Sequence, residues 1–467
     1  MIKLRSVILI ILAAILSMGC GRSLPIKTQV PRRPAGQTDV LQLTAPALDT
    51  VHIGFIGIGG RGQAAVYRMS LVPGTDIVAF SDLRQRQIDL CQKHLENHGR
   101  HRAEEYTGSE DAWQEMCRRP DIDLVYIATD WEMHTPMALY AMEQGKHVAI
   151  EVPAALSLQD CWDLVNTSER TRRHCMMLEN CCYDFFEINT LNMARQGVFG
   201  EVLHVEGSYL HYFGLPRKPW PEDPEQGRYH RQWRVEYNQT HRGDVYPTHG
   251  LGPICQVLNI HRGDRMKVLV SADTKAVNGK LYWEKSKGTP TEEFLNADQT
   301  STLITTELGK TILVEHNIRN PQPYNRMYKV VGTAGSAAKY PVEWYCFDPA
   351  IADSSKVDLS GMYAHSAISE EQKAALTERY KDPIIKEIEE TAREVGGHGG
   401  MDYIMDYRLI YCLRKGLPLD MDVYDLAEWC CIQELSRISL ENGCAPVEVP
   451  DFTRGAWNKV EGYSHAF

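Results

Sequence analysis

Val51-His52-Ile53-Gly54-Phe55-Ile56-Gly57-Ile58-Gly59-Gly60-Arg61-Gly62 decides the fold. The apolar, β-branched run up to Ile56 reads as a buried strand. It stops at Gly57-x-Gly59-x-x-Gly62, and Ala64, Ala65, Tyr67, Arg68 and Met69 continue as a helix. Strand, glycine turn and helix start together make a cradle for the diphosphate of a dinucleotide. The first glycine permits the turn, the second admits phosphate to the backbone, and the third lets helix and strand pack. The helix N-terminus turns free N–H groups toward the anion. A second strand, Asp76 to Phe80, ends at Ser81-Asp82. Asp82 follows the glycines by about 20 residues, where a carboxylate bonds the ribose 2′-OH and repels a 2′-phosphate. NAD(H) is therefore expected over NADP(H), held by Gly57, Gly59, Gly60, Arg61, Gly62 and Asp82. Read alone, these residues also fit a glycine turn in another α/β domain, with Asp82 as a helix cap.

Outward from this stretch, strands and helices alternate. Arg84 to His98 and Ala112 to Arg118 read as helices, and Ile122 to Thr129 as a strand. The strand leads to Asp130-Trp131-Glu132-Met133-His134-Thr135-Pro136 and a helix from Met137 to Gln144. Lys146 to Ile150 is a strand ending in Glu151-Val152-Pro153. Ser157 caps a helix to about Arg172, and Cys175 to Asn180 is one more strand. Such alternation means a parallel sheet with right-handed crossovers, which binds ligands at the strand carboxyl ends. Those ends carry the glycine loop, Asp82, Trp131 to His134, Glu151-Val152 and Asn180. After about Cys182 the pattern changes. A helix (Phe185 to Gln196), a strand (Glu201 to Tyr209) and a polar loop (Pro216 to Val245) precede a helix from Pro253 to Asn259. Strands at 267–272, 300–308, 311–317 and 328–332 follow, then helices at 401–414 and 424–442. The expected architecture is α/β, a Rossmann domain followed by an α+β domain with a mostly antiparallel open sheet.

The chain has 467 residues, 43% hydrophobic and 24% charged, as in ordinary globular proteins. A net charge of −11 argues against a nucleic-acid partner. Lys3 and Arg5, the apolar Val7 to Leu16 and Leu16-Ser17-Met18-Gly19-Cys20 read as an export signal, with Cys20 as a lipidated first residue. The leucine sits one place further from the cysteine than usual, so a simple signal peptide or an uncleaved anchor also fits. Residues 1–19 are thus expected as signal, 20–49 as a flexible tether, 50–182 as the NAD-binding domain and 183–467 as the substrate and oligomerisation domain. The protein would be exported and would face the periplasm or cell surface of a bacterium, touching membrane through its lipid only. No CxxC spacing occurs among the 13 cysteines, so no metal site is expected. The cysteines in apolar patterns read as core thiols.

A glycine-loop NAD domain followed by an open antiparallel sheet resembles the Gfo/Idh/MocA oxidoreductases. The loop with His134 and Pro136 is similar to that family's N-x-x-H-x-x-x-A helix start, and Glu151-Val152-Pro153 stands where it has Glu-Lys-Pro. In those dehydrogenases the lysine moves a proton at the carbinol oxygen. Val152 cannot, which weighs against a plain sugar dehydrogenase. A narrower resemblance is to glycoside hydrolase family 109. It rests on Trp131-Glu132-Met133-His134, Glu151-Val152-Pro153-Ala154, Asn180-Cys181-Cys182-Tyr183, Gly243-Asp244-Val245-Tyr246-Pro247-Thr248-His249-Gly250-Leu251-Gly252-Pro253, His316-Asn317 and Pro321-Gln322-Pro323-Tyr324.

That resemblance implies an α-N-acetylgalactosaminidase with tightly held NAD. Hydride leaves sugar C3, the ketone acidifies the C2 proton, elimination expels the C1 substituent, and water addition and hydride return complete a cycle without net redox. It places His249 and Tyr246 as the catalytic pair, three residues apart where a helix opens. Trp131, Glu132, Met133, His134, Glu151, Val152 and Asn180 join the cofactor contacts. Tyr209, Arg234, Tyr246, Pro247, Thr248, His249 and Tyr324 are expected to line the sugar site. Without the resemblance, His249 as a helix cap and Tyr246 as packing under the loop are slightly favoured. The partner is then a glycan with terminal N-acetylgalactosamine. A homodimer through the open sheet is compatible with the fold.

Overall fold

The computed structural model describes residues 25–213 and 233–467. The signal at 1–19 and Cys20 lie outside the described residues, as does most of the polar loop after Pro216.

The first domain is built from β1 (Val51–Ile56), α1 (Gly60–Leu71), β2 (Thr75–Ser81), α2 (Gln85–Asn97), β3 (Glu104–Tyr106), α3 (Ala112–Cys117), β4 (Leu124–Ile127), α4 (Trp131–Glu143), β5 (His147–Ile150), α5 (Leu158–Thr171) and β6 (Cys175–Met177). The six strands lie parallel in the order β3-β2-β1-β4-β5-β6. Order reverses between β1 and β4, so the crevice opens beside the glycine loop, where such sheets bind ligands. Side chains hold the helix starts. Asp130 accepts from Met133 N at 3.2 Å, and Ser157 and Asp160 form a capping box on α5. One expectation needs correction. The sixth strand stops at Met177, and Asn180 to Tyr183 form a 3₁₀ turn because the buried Glu179 carboxylate accepts from Cys181 N.

The second domain follows with α6 (Phe185–Arg195), β7 (Val202–Leu210), α7 (Trp233–Thr240), α8 (Thr248–Val257), β8 (Met266–Asp273), α9 (Asn278–Lys287), β9 (Thr300–Thr306), β10 (Thr311–Asn317), β11 (Lys329–Gly332), β12 (Gly335–Ala338), β13 (Trp344–Phe347), α10 (Glu370–Arg379), α11 (Pro383–Val395), α12 (Met401–Lys415), α13 (Val423–Glu441) and β14 (Val447–Glu448). Its eight strands run β13-β12-β11-β7-β10-β9-β8-β14. Every pairing is antiparallel except β7 with β10. Four helices were not legible in the sequence: α7, inside the expected loop, and α9, α10 and α11. Helix α9 carries three lysines among ten residues and little apolar face, and α10 buries Leu376 alone, so neither shows a helical stripe.

Helices α12 and α13 return to the first domain, where α12 packs on α1 and α13 on α5. The stretch 25–49 also needs correction from residue 25 onward. It is a strap along both domains. Ile26 bridges Val447 at the edge of the second sheet, and Arg33 donates twice to Glu169 of α5 at 3.0 Å. Val40 is buried and its N–H donates to Tyr424 Oη. The proline-rich composition suggested a free linker because its partners lie more than 100 residues away in sequence. The twelve described cysteines are free thiols, ten of them buried. Among the described residues no helix is long and apolar enough to cross a membrane.

Candidate active site

The glycine loop is shaped as its spacing requires. Gly57 has φ +79°, and a Cβ there would stand 2.7 Å from the Ala128 carbonyl oxygen. A Cβ on Gly62 would overlap the Gly57 carbonyl oxygen, so only glycine lets α1 start this close to β1. In front of Gly60 a Cβ would meet nothing within 4 Å, and no side chain caps α1. The helix N–H groups therefore face open space suited to an anion. Asp82 Oδ2 accepts from Ile58 N and Oδ1 from Arg84 N, both at 2.9 Å, which pins the carboxylate beside the loop. The cradle fits a dinucleotide.

Further along the crevice the expected contacts form an ionic lattice. Arg61 Nε donates to Glu151 at 2.7 Å, and its Nη1 to Asp402 at 2.8 Å. Tyr126 Oη donates to Glu151 at 3.1 Å, and Asn180 Nδ2 to Asp402 at 2.6 Å. Burial alone would raise the Asp402 carboxyl, but Arg61, His398 and Arg68 hold it well below its ordinary range. Glu151, Asn180 and Arg61 are thus brought together by an aspartate that sequence reasoning missed. Asp402 follows Gly396-Gly397-His398-Gly399-Gly400, a loop whose five residues all have positive φ. The His398 ring is 61% exposed and its Nδ1 lies 2.9 Å from Asp402. A histidine between two glycine pairs just before a helix was the available signal.

Trp131 and His134 are buried, Met133 half-buried and Glu132 exposed. The ring nitrogens of His134 face the Pro153 and Thr129 carbonyl oxygens at 2.8 and 3.2 Å. Burial lowers its pKa, and the neutral ring has one N–H, which the shorter contact gives to the Pro153 carbonyl after β5. Val152 is buried beside it.

The second domain faces this crevice with a histidine and a wall of rings. His249, second residue of α8, places Nδ1 2.7 Å from Glu179 Oε1. Glu179 is fully buried. Burial alone would raise its pKa, but the charge and hydrogen bond of His249 bring it below the ordinary value. The pair fixes the imidazole and leaves Nε2 for a substrate. Glycine makes this possible. A Cβ on Gly207 would overlap the Gly250 carbonyl, so α8 lies directly on β7. Gly252 leaves room for the Glu179 side chain, which a Cβ would approach to 2.7 Å. The Tyr209 ring then lies 5.2 Å from His249 and 4.6 Å from Tyr246, and Tyr246 lies 4.9 Å from His249 and 5.6 Å from Trp131. Burial raises the Tyr246 hydroxyl well above its usual pKa, so it stays protonated. The Arg234 guanidinium sits among Trp131, Phe213 and Tyr246 at 4.6–5.1 Å. Pro247 precedes α8, and Thr248 is buried. Tyr324 stands at the rim, 42% exposed, its Oη 3.4 Å from Arg326. The site gathers ten residues expected to contact cofactor or substrate, namely Arg61, Trp131, Glu151, Asn180, Tyr209, Arg234, Tyr246, Pro247, Thr248 and His249.

Residues 183–459 match the model described as "Glycosyl hydrolase 109, C-terminal domain". Residues 51–179 match the NAD-binding Rossmann fold of the GFO_IDH_MocA oxidoreductase family. Over 444 residues the chain is 62% identical to "Glycosyl hydrolase family 109 protein 1" of Bacteroides thetaiotaomicron, covering 95% of this chain and 93% of that one.

The chain belongs to glycosyl hydrolase family 109.

A second family 109 protein, from Bacteroides fragilis, is 60% identical over 95% of this chain and 94% of its own. Among solved structures, a levoglucosan dehydrogenase in complex with NADH and levoglucosan superposes with a TM-score of 0.61 at 18% identity, over 86% of this chain and all of its own. It shares the fold. A family 109 chain thus carries the parallel NAD-binding Rossmann domain that its glycine loop implied, and a second sheet that is antiparallel except between β7 and β10.

Proposed function

We propose that this family 109 protein is an α-N-acetylgalactosaminidase that works by an oxidation–elimination–addition–reduction cycle on retained NAD. One observation carries the choice of chemistry. Most glycosidases use a pair of free carboxyl groups. Among the described residues, three carboxylates of the crevice, Glu179, Glu151 and Asp402, are already bonded to His249, Arg61 and His398. Beside them stand a carboxylate-held histidine and a neutral tyrosine, groups suited to moving protons around a carbinol and its neighbouring carbon.

NAD⁺, when bound, supplies the acceptor and later donor of the sugar C3 hydride. The glycine loop and Asp82 hold that group, and the Arg61–Glu151–Asp402 lattice walls its inner end. His249 would take the C3 hydroxyl proton through Nε2 as the hydride leaves and give it back when the hydride returns, while Glu179 keeps the ring in one tautomer. Tyr246 donates to the carbinol oxygen and stabilises it as a carbonyl. Trp131, Tyr209 and Tyr324 offer faces to the sugar C–H bonds, and Arg234 its donors to the oxygens. Val152 leaves a dehydrogenase without its lysine.

The test is 4-nitrophenyl α-N-acetylgalactosaminide with the purified protein in D₂O, no NAD added. Nitrophenol release with deuterium at sugar C2 and no accumulated NADH is expected. Release without C2 exchange would sink the mechanism, and no release but NADH formation from free sugars once NAD⁺ is supplied would identify a dehydrogenase.

We further infer, from Leu16 to Cys20, export with lipid attached to Cys20. Labelling with a palmitate analogue should mark the wild type and spare Cys20→Ser. An unlabelled wild type overturns this.

A further inference from the structure

We propose that Arg84 is a cofactor-holding residue, whose guanidinium takes the diphosphate of the bound dinucleotide. The inference rests on the NAD-binding fold and is independent of the glycosidase reading. Arg84 is the first residue past the loop after β2, at the N-cap of α2. Its backbone N–H is tied to Asp82, which aims the side chain back over the glycine loop. One guanidinium nitrogen lies 2.9 Å from where a Cβ on Gly59 would stand. Gly59 is the second glycine, the point at which this motif brings phosphate closest to the backbone. The cation is therefore stationed over the phosphate position.

The charges around the loop favour this role. The diphosphate carries two negative charges, whereas a helix N-terminus supplies only about half a positive one. Arg61 is the other cation at the loop, and Glu151 and Asp402 occupy it. Arg68, about two α1 turns further, is held by Asp402 and Asp406. Arg84 has one ion pair among the described residues, a 3.5 Å contact with Asp82, whose oxygens already accept two backbone N–H groups. Its side chain is 12% exposed, so a phosphate contact there is partly desolvated and correspondingly strong.

An arginine beside the ribose carboxylate also suggests a different ligand, the 2′-phosphate of NADP. The experiment separates the two. NAD⁺ and NADP⁺ are titrated calorimetrically into nucleotide-free full-length wild type, Arg84→Ala and Arg84→Lys. If the stripped protein does not persist, release of bound NAD⁺ into excess labelled NAD⁺ is timed for the holoprotein, and NADP⁺ is compared as competitor. Arg84→Ala is expected to weaken NAD⁺ about 10- to 100-fold, as for loss of a charge-assisted hydrogen bond. It should weaken NADP⁺ by a similar factor and flatten the salt dependence, and lysine should recover part of the loss. NAD⁺ affinity within twofold of wild type overturns the proposal. So does a loss confined to NADP⁺, which would assign Arg84 to the 2′-phosphate. None of these readouts requires glycoside turnover, so a failed glycosidase assay leaves them interpretable.

Discussion

Replacing His249 with alanine is expected to lower kcat on the nitrophenyl glycoside by about 10²–10⁴-fold, the range for loss of a general acid–base. KM should change less than threefold, because the ring wall of Trp131, Tyr209 and Tyr246 stays in place. Glu179→Gln tests the orienting carboxylate. It keeps the shape and removes the charge that holds Nδ1 at 2.7 Å. A fall in kcat of about 10²-fold is expected, the scale on which outer partners of reactive groups act. The double variant should be no slower than His249→Ala alone, since the two side chains act as one unit. Additive losses would mean that Glu179 works elsewhere, and wild-type kcat in His249→Ala would remove the histidine from the chemistry. His249→Ala strands a buried carboxylate. Circular dichroism and bound-nucleotide content therefore accompany the kinetics, and the double variant, which removes that charge, keeps the test valid.

The second large effect concerns stability. Where α13 meets the second domain, Arg262 donates twice to Asp425, at 2.9 and 2.8 Å, and His261 places Nδ1 2.8 Å from Glu428. Asp422 and Asp425 also form the capping box of α13. These groups are nearly all buried. Asp425→Asn is expected to cost about 3–5 kcal/mol in urea unfolding, because it leaves the Arg262 guanidinium without its main counter-charge. A midpoint within 0.2 M of wild type would refute that reading. The same cluster sets a pH dependence. Burial alone would lower the His261 pKa, but Asp425 and Asp422 push it up to about 10. A pKa raised in the folded state stabilises fully below the unfolded value, about 6.5, and the gain disappears as pH climbs through about 10. Asp422 is depressed, and its contribution is lost on acidification instead. Thermal midpoints of wild type and His261→Gln should therefore differ most below pH 6.5 and converge toward pH 10. A constant gap would contradict the assignment. Asp422, Asp425 and His261 also bring three potential ligand atoms within 4.8 Å. The Arg262 guanidinium already neutralises that cluster, so its geometry is that of an ion pair.

Much of this was legible because short-range rules apply. Strand, glycine turn and helix from Val51 to Met69 follow from backbone sterics, and Asp82 from the length of one βαβ turn. Tyr246 and His249 were legible as a pair because they stand three residues apart where the chain enters α8. Glu179 was not. It reads as an ordinary acidic residue at a strand end, and its role exists only because Gly252 lets α8 pass over it. Asp402 and His398 lie more than 200 residues beyond Asn180, and no local pattern announces that α12 returns to the first domain. The strap at 25–49 misled for the same reason, since its composition is that of a linker and its order comes from distant partners.

The sequence by itself determined the Rossmann half, because strand, glycine turn and helix lie within a turn or two of one another, and the membership of family 109, because each of its motif strings is contiguous in the chain. Only the tertiary structure decided which charges are free. Arg61, Glu151, Asn180 and Asp402 satisfy one another, Glu179 is committed to His249, and Arg84 keeps its guanidinium over the glycine loop. Pairings of that kind are set by burial and by distances of about 3 Å between elements far apart in the chain, and a linear pattern does not carry them.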